Sequence, residues 1–327
     1  MKKALMFVGL LLVSSFSTLF SGAASAAYPE RSIRVVMPYP PGGGGDLLLR
    51  TMQASLEKQL GQNLIIDYKT GAAGNIGTHD VVRAAPDGYT LLMAPTNNFV
   101  INQYLFDSMG FDPLKALAPI SLVVEQPYLL LISNALPAKN YAEFAALAKK
   151  SGSALNYGSP GTGTVPHISG LMLARHLGAP MMHIPYRGSQ PGLQALAGNE
   201  TQMFIASYGI AAGQINGGKA RPIAVASSQR LKSLPDVPTT EQAGIPPGIV
   251  LGNWWGLAAP QGTDPAIIKR LSDAVRQALN EPEIQGKLVE QGSIAVGSKP
   301  DEFKQVLQTE AKSWQAIIKQ TGVRLEK

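Results

Sequence analysis

The sequence contains no cysteine. That absence excludes disulfide bonds, cysteine nucleophiles, thiolate metal sites and a lipid-bearing cysteine behind a leader. Histidine is also scarce: His79, His167, His176 and His183 fall in no metal-ligand spacing, and no His-Glu-x-x-His is present. The formal charge of +6 drops to +4 once Lys2 and Lys3 are set aside, and the remaining Lys and Arg are scattered. No basic stripe for nucleic acid is visible. Past the N-terminus, no segment approaches the roughly 18 uninterrupted apolar residues that a membrane-spanning helix needs.

The N-terminus itself reads as an export leader. Lys2 and Lys3 precede the apolar run Ala4 to Val13, a Ser-rich stretch and the small-residue site Ala24-Ser25-Ala26. Ser14, Ser15, Ser17, Thr18 and Ser21 interrupt what a permanent anchor would keep apolar. Residues 1–27 are therefore expected to be a cleaved signal peptide, leaving a periplasmic chain that starts near Ala27 or Tyr28. The remaining length exceeds what one core usually supports, so two domains are expected.

Along the chain, apolar β-branched runs alternate with Gly-rich turns and helical spacing. Ile33 to Met37 reads as a strand, followed by a helix with Asp46 as its N-cap, Leu48, Leu49, Met52, Leu56 and Leu60 inward and Gly61 beyond its end. Leu64 to Tyr68 and Thr90 to Ala94 read as further strands, with a helix over Thr78 to Ala85 between them. The second half repeats the rhythm: helices over Tyr141 to Lys150, Pro166 to Leu177 and Gln190 to Leu196, and strands over Leu155 to Tyr157, Met181 to Pro185, Gln202 to Ala206 and Pro222 to Ala226. This is the pattern of parallel α/β sheets. Pro127 to Ser133 and Trp254 to Ala259 look like strands at two crossings between the halves. The boundaries that follow are 28–124 plus 253–327 for one α/β domain and 125–252 for the other.

Four loops lead into helix N-termini: Gly42 to Asp46, Gly71 to Asn75, Ser159 to His167 and Tyr186 to Gln190. Helix N-termini present unpaired N–H groups and about half a positive charge, so they attract carboxylates without any Lys or Arg. In open α/β sheets such loops lie at the carboxyl ends of strands, where ligands bind. Rival chemistries fit less well. The run Gly42-Gly43-Gly44-Gly45 with Leu47 breaks dinucleotide-fold spacing, no Gly-Lys-Ser/Thr makes a phosphate loop, and Gly158-Ser159-Pro160-Gly161 departs from a nucleophile elbow. An exported small-ester hydrolase stays open as an alternative that requires a Ser–His pair in hydrogen-bond reach. Tyr39, Phe99, Tyr208 and Trp254 are the aromatic residues expected near the crevice.

At these residues the chain resembles the Bug-type periplasmic receptors of tripartite tricarboxylate transporters. The matching blocks run from Tyr28-Pro29 and Pro41-Gly42-Gly43 with Asp46, through Gly71 to Gly77 and Ala85 to Leu91, to Gly161 to Thr164 with His167. They continue through Ile184 to Gly188, Leu234 to Thr239 and Trp255-Gly256-Leu257. The resemblance implies a two-domain periplasmic-binding-protein (Venus-flytrap, type II-like) α/β fold with two hinge crossings. It implies no catalytic residues, no metal and no cofactor, a small carboxylate as ligand, and the membrane subunits of a tripartite transporter as partners of a monomeric receptor. Ligand-binding candidates carried over are Gly43, Gly44, Gly45, Gly74, Asn75 and Thr96 from the first domain. Those from the second are Ser159, Thr162, Thr164, His167 and Tyr186, to which Ser207 and, at the second crossing, Trp254 are added.

Two departures bear on the ligand. Gly44 and Gly45 stand where the family often has Ser or Thr. Ile205-Ala206-Ser207-Tyr208 replaces a segment that often carries an Asp, which leaves an ammonium group without a partner. The expected ligand is a carboxylate with an apolar or aromatic body, such as the diacid terephthalate. A signalling partnership with a membrane sensor remains a further alternative.

Overall fold

The computed structural model describes residues 28–151, 154–249 and 252–325, so the expected leader lies outside the described residues. The first lobe contains β1 (Ile33–Met37), α1 (Gly44–Leu60), β2 (Leu64–Tyr68), α2 (Asn75–Val82), β3 (Thr90–Pro95), the short helices α3 (Asn102–Leu105) and α4 (Pro113–Ala116), and β4 (Leu117–Gln126). The chain then builds the second lobe from β5 (Tyr128–Ser133), α5 (Tyr141–Ser151), β6 (Asn156–Ser159), α6 (Val165–Leu177), β7 (Met182–Pro185), α7 (Ser189–Ala197), β8 (Met203–Ser207), α8 (Tyr208–Asn216) and β9 (Ala220–Val225). It returns to the first with β10 (Asn253–Pro260), α9 (Pro265–Leu279), α10 (Pro282–Glu290), β11 (Ile294–Ala295) and α11 (Pro300–Thr321).

Each lobe holds one sheet, ordered β11-β4-β10-β3-β1-β2 and β7-β6-β8-β5-β9. The α/β class and two-lobe plan follow the sequence reading, but the sheets are mixed rather than parallel. β10 runs antiparallel to β3 and β4, and β5 antiparallel to β8 and β9. These two strands carry the chain between lobes, and a strand arriving from the neighbouring lobe enters from the opposite end.

Both faces of each sheet are covered, which explains the unbroken apolar runs. Successive residues enter opposite cores: Val35, Leu91 and Met93 pack with α1 and α9, whereas Val36, Leu92 and Ala94 pack with α11. In β5 the same alternation sends Leu130 and Ile132 to one face and Leu129 and Leu131 to the other. A strand has a side-chain period of two, so a run of buried residues signals two covered faces.

Two helix starts differ from expectation. α1 begins at Gly44 with Gly43 as its cap, and Asp46 sits in the first turn. α2 starts at Asn75, three residues earlier than expected: Ala72–Gly74 form a left-handed turn (φ 46°, 51° and 85°), and the right-handed helix begins directly after the kink at Gly74, its cap. At the other end of α1, Gly61 adopts the left-handed conformation (φ 74°) and its N–H closes on Glu57 O at 2.8 Å.

In β10, a Cβ added to Gly256 would lie 2.3 Å from the ring of Phe303, a fully buried residue of α11. Gly256→Ala should therefore destabilise the first lobe by about 1–3 kcal/mol through overpacking. A lowered melting temperature in calorimetry is the expected result, whereas Gly286→Ala, at an exposed site inside α10 where a Cβ meets nothing, should leave the melting temperature unchanged or slightly raised.

Candidate functional site

A cleft with about 850 Å³ of empty space, part of it continuous with solvent, lies between the carboxyl ends of the two sheets. The first lobe supplies Met37 at the end of β1, the loop and first helical turn from Tyr39 to Asp46, Pro95 at the end of β3 and Asn97 just past it, Gln126 at the end of β4, and Trp255. The second supplies Tyr128, Pro160, Thr164, Pro166, the segment Arg187 to Pro191, and Ile205, Ala206 and Ile210.

The first-lobe wall is organised by Asp46. Its carboxylate accepts from the Gly42 N–H (2.9 Å), Arg50 Nε (2.8 Å) and the Tyr68 hydroxyl (2.5 Å). Burial alone would raise its pKa, but the bonds from Tyr68 and Gly42 and the charge of Arg50 outweigh it and hold the carboxyl below its ordinary value. Asp46 is thus neutralised within its own lobe and pins Gly42, which adopts φ +80°. The helix start that it steadies leaves the first-turn N–H groups of Gly44 and Gly45 free of intrahelical partners.

These glycines have a second, steric reason. A Cβ on Gly45 would come within 2.2 Å of the Trp255 ring, and one on Gly44 within 2.6 Å of Gln126 Oε1. Trp255 Nε1 donates to that same Gln126 oxygen at 3.1 Å, and Tyr39 meets the indole edge-on with centroids 6.3 Å apart. The space that a Ser or Thr side chain would need is occupied by Gln126 at Gly44 and by Trp255 at Gly45.

Of the sequence candidates, Gly43, Gly44, Gly45 and Thr164 line the cleft. The others are placed around it. Asn75 Oδ1 accepts from Asn102 Nδ2 at 2.7 Å, and Gly74 packs against Asn98, both in an amide network behind the wall. Thr96 is buried between the lining residues Pro95 and Asn97, accepting from the Trp254 N–H. Thr162 is exposed outside the cleft, Tyr186 packs on Gly158 and Gly192, and the buried Ser207 hydroxyl finds no partner among the described residues. Trp254 packs against Phe99 and Phe303 and donates to Glu310 at 2.8 Å, away from the cleft. Adjacent strand residues face opposite ways, so its neighbour Trp255 takes the cleft side, and Phe99 is core as well.

Sequence reasoning did not single out Asn97, Gln126, Arg187 or Trp255. Position was the available signal: Asn97 and Gln126 follow or end strands, and Arg187 lies inside an already suspected loop. Asn97 also joins the lobes, its amide donating to Gly163 O at 2.8 Å and accepting from the Val165 N–H at 3.4 Å.

Ser159 and His167 belong to a buried cluster in the second lobe. Ser159 Oγ lies 2.7 Å from His183 Nε2, His183 stacks on His167 at 4.0 Å, and His167 Nδ1 accepts from the Gly163 N–H at 3.0 Å. The Ser–His pair that hydrolysis requires is therefore present, but Ser159 is fully buried and no carboxylate contacts His183 among the described residues. Burial lowers His167 to about 4; burial and the neighbouring His167 lower His183 to about 3. Both folded values lie below the ordinary 6.5, so the unfolded chain binds more protons in that window. Stability is full above about pH 6.5 and falls as the pH drops toward 4. The melting temperature should decline from pH 7 to pH 5, and His183→Gln should flatten that decline; an unchanged slope would remove the histidine pair as its source.

The model of the tripartite tricarboxylate transporter family receptor matches residues 48–323. BugT of Bordetella pertussis is 28% identical over 327 residues, covering 100% of this chain and 99% of that protein. Among solved structures, MatC from Rhodopseudomonas palustris with bound malate superposes with a TM-score of 0.82 at 32% identity, covering 89% of this chain and 100% of that one. A second R. palustris protein, solved with adipate, gives a TM-score of 0.86 at 28% identity, with coverages of 92% and 100%.

Proposed function

The chain belongs to the tripartite tricarboxylate transporter receptor family, whose members are solute-binding proteins rather than enzymes, and from that membership we propose the nature of its ligand. The cleft captures a small organic dicarboxylate with an apolar or aromatic body, and the loaded receptor delivers it to the membrane subunits of a transporter. It does so as a periplasmic monomer, after removal of residues 1–27. Terephthalate is one ligand of this description.

The observation that carries this reading is the composition of the cleft. One end is the glycine-built start of α1, suited to a carboxylate without a side-chain cation. The walls between are apolar or aromatic: Met37, Tyr39, Trp255, Ile205, Ala206 and Ile210. An amino-acid ligand finds no free carboxylate for its ammonium, because Asp46 is bound to Arg50 and Tyr68, and Ile205 and Ala206 line the wall after Phe204. The similar structures with malate and adipate hold dicarboxylates.

Closure follows from differential affinity: a ligand touching both lobes favours the state in which they approach. Asn97 contributes protein–protein bonds to the same state.

A thermal-shift screen of mono-, di- and tricarboxylates, aromatic diacids and amino acids tests the reading. A ligand at 100 times its Kd stabilises the native state by about 2.7 kcal/mol. Shifts are expected from non-amino dicarboxylates; hits confined to amino acids, or none at all, would overturn it. Both indoles are buried, so Trp254→Ala and Trp255→Ala should each cost about 3–5 kcal/mol of stability, read by denaturant unfolding. Only Trp255→Ala should also weaken binding, by at least about tenfold when measured on the folded fraction, because Trp255 alone of the two lines the cleft.

A further inference from the structure

Among the described residues, two charged side chains line the cleft, Asp46 and Arg187. Asp46 is balanced by Arg50 inside the first lobe, which leaves the guanidinium of Arg187 as the uncompensated charge. Arg187 is exposed and forms no ion pair or hydrogen bond among the described residues. The other arginines, Arg83 excepted, are each bonded: Arg175, Arg221 and Arg270 to carbonyls, Arg230 to Gln242, and the rest to carboxylates.

The side chain is free, but its backbone is not. The Tyr186 N–H donates to Ser159 O at 2.9 Å and the Gly188 N–H to Pro160 O at 3.1 Å, so the chain on both sides of Arg187 is tied to the loop after β6. A guanidinium on a fixed base, facing a cleft and holding no partner of its own, is arranged for a planar, two-oxygen acceptor.

We propose that Arg187 grips the second carboxylate of the ligand from the second lobe, while the start of α1 holds the first, and so sets the preference for dianions over monoanions. This rests on the carboxylate-receptor reading above and assigns the charge selection within it. The discrimination works by gain. A monoanion leaves Arg187 in water at no cost, whereas a dianion adds a charge-assisted pair that draws the lobes together.

The test compares terephthalate and adipate with their monoamides, which keep the shape and remove one charge, by titration calorimetry on wild type, Arg187→Gln, Arg187→Lys and Arg83→Gln. Wild type should prefer each diacid over its monoamide by about tenfold or more. Arg187→Gln should lose that preference while binding the monoamides as before, and Arg187→Lys should keep part of it. Arg83→Gln removes the same charge at an exposed position away from the cleft and should change nothing. An unchanged preference in Arg187→Gln, an equal loss for diacid and monoamide, or the same loss in Arg83→Gln would overturn the assignment while leaving the receptor reading intact. If wild type binds none of these acids nor any carboxylate of the wider screen, the receptor reading falls and the role of Arg187 falls with it.

Discussion

The insertion of β10 between β3 and β4 is the constraint on which the rest of the structure depends. It closes the first sheet with chain that has already built the second lobe, so the two lobes are joined by two strand connections rather than one. Because β10 is antiparallel and buried on both faces, its successive side chains serve opposite purposes. Trp255 and its bond to Gln126 form the floor on which the first turn of α1 rests, and Trp254 anchors α11 through Glu310. Gly256 then lets Phe303 close against the sheet.

That packing explains how an anion site can be built with little charge. The first lobe uses its lining carboxylate to hold the loop: Asp46 binds Gly42, Arg50 and Tyr68 and repels no ligand as a free anion would. The glycines that follow are required by the closeness of Trp255 and Gln126 and, for the same reason, leave the backbone bare toward the cleft. Steric necessity and ligand chemistry thus coincide in the same two residues. On the other side, the stacked His167 and His183 stay neutral by burial and hold the Ser159 to Gly163 loop in shape, which makes them supports of the wall rather than its chemistry.

The amide of Asn97 reaches the backbone of the opposite loop at Gly163 and Val165, so part of the adhesion between lobes is independent of ligand. A receptor of this kind balances that adhesion against the ligand's contacts, since only interactions that differ between open and closed states bias the equilibrium.

Local periodicity sufficed for much of the fold. The spacing of Leu48, Leu49, Met52, Leu56 and Leu60, the left-handed Gly61, and the β-branched run at Ile33 to Met37 each report an element through neighbours a few residues away. The same local logic placed the Gly43 to Gly45 turn at a helix start, and the ordered blocks of sequence sufficed for the family. What the sequence left undecided were the questions answered by residues far apart in it. Alternation says that Trp254 and Trp255 face opposite sides but not which side is the cleft; that depends on β3 and β4 flanking β10 and on α11 covering one face. The mixed direction of the sheets, the burial of His167 beside His183, and the meeting of Arg187 with the start of α1 in one cleft were likewise decided by tertiary structure. Each requires two segments to be brought together by packing, and no local pattern encodes that.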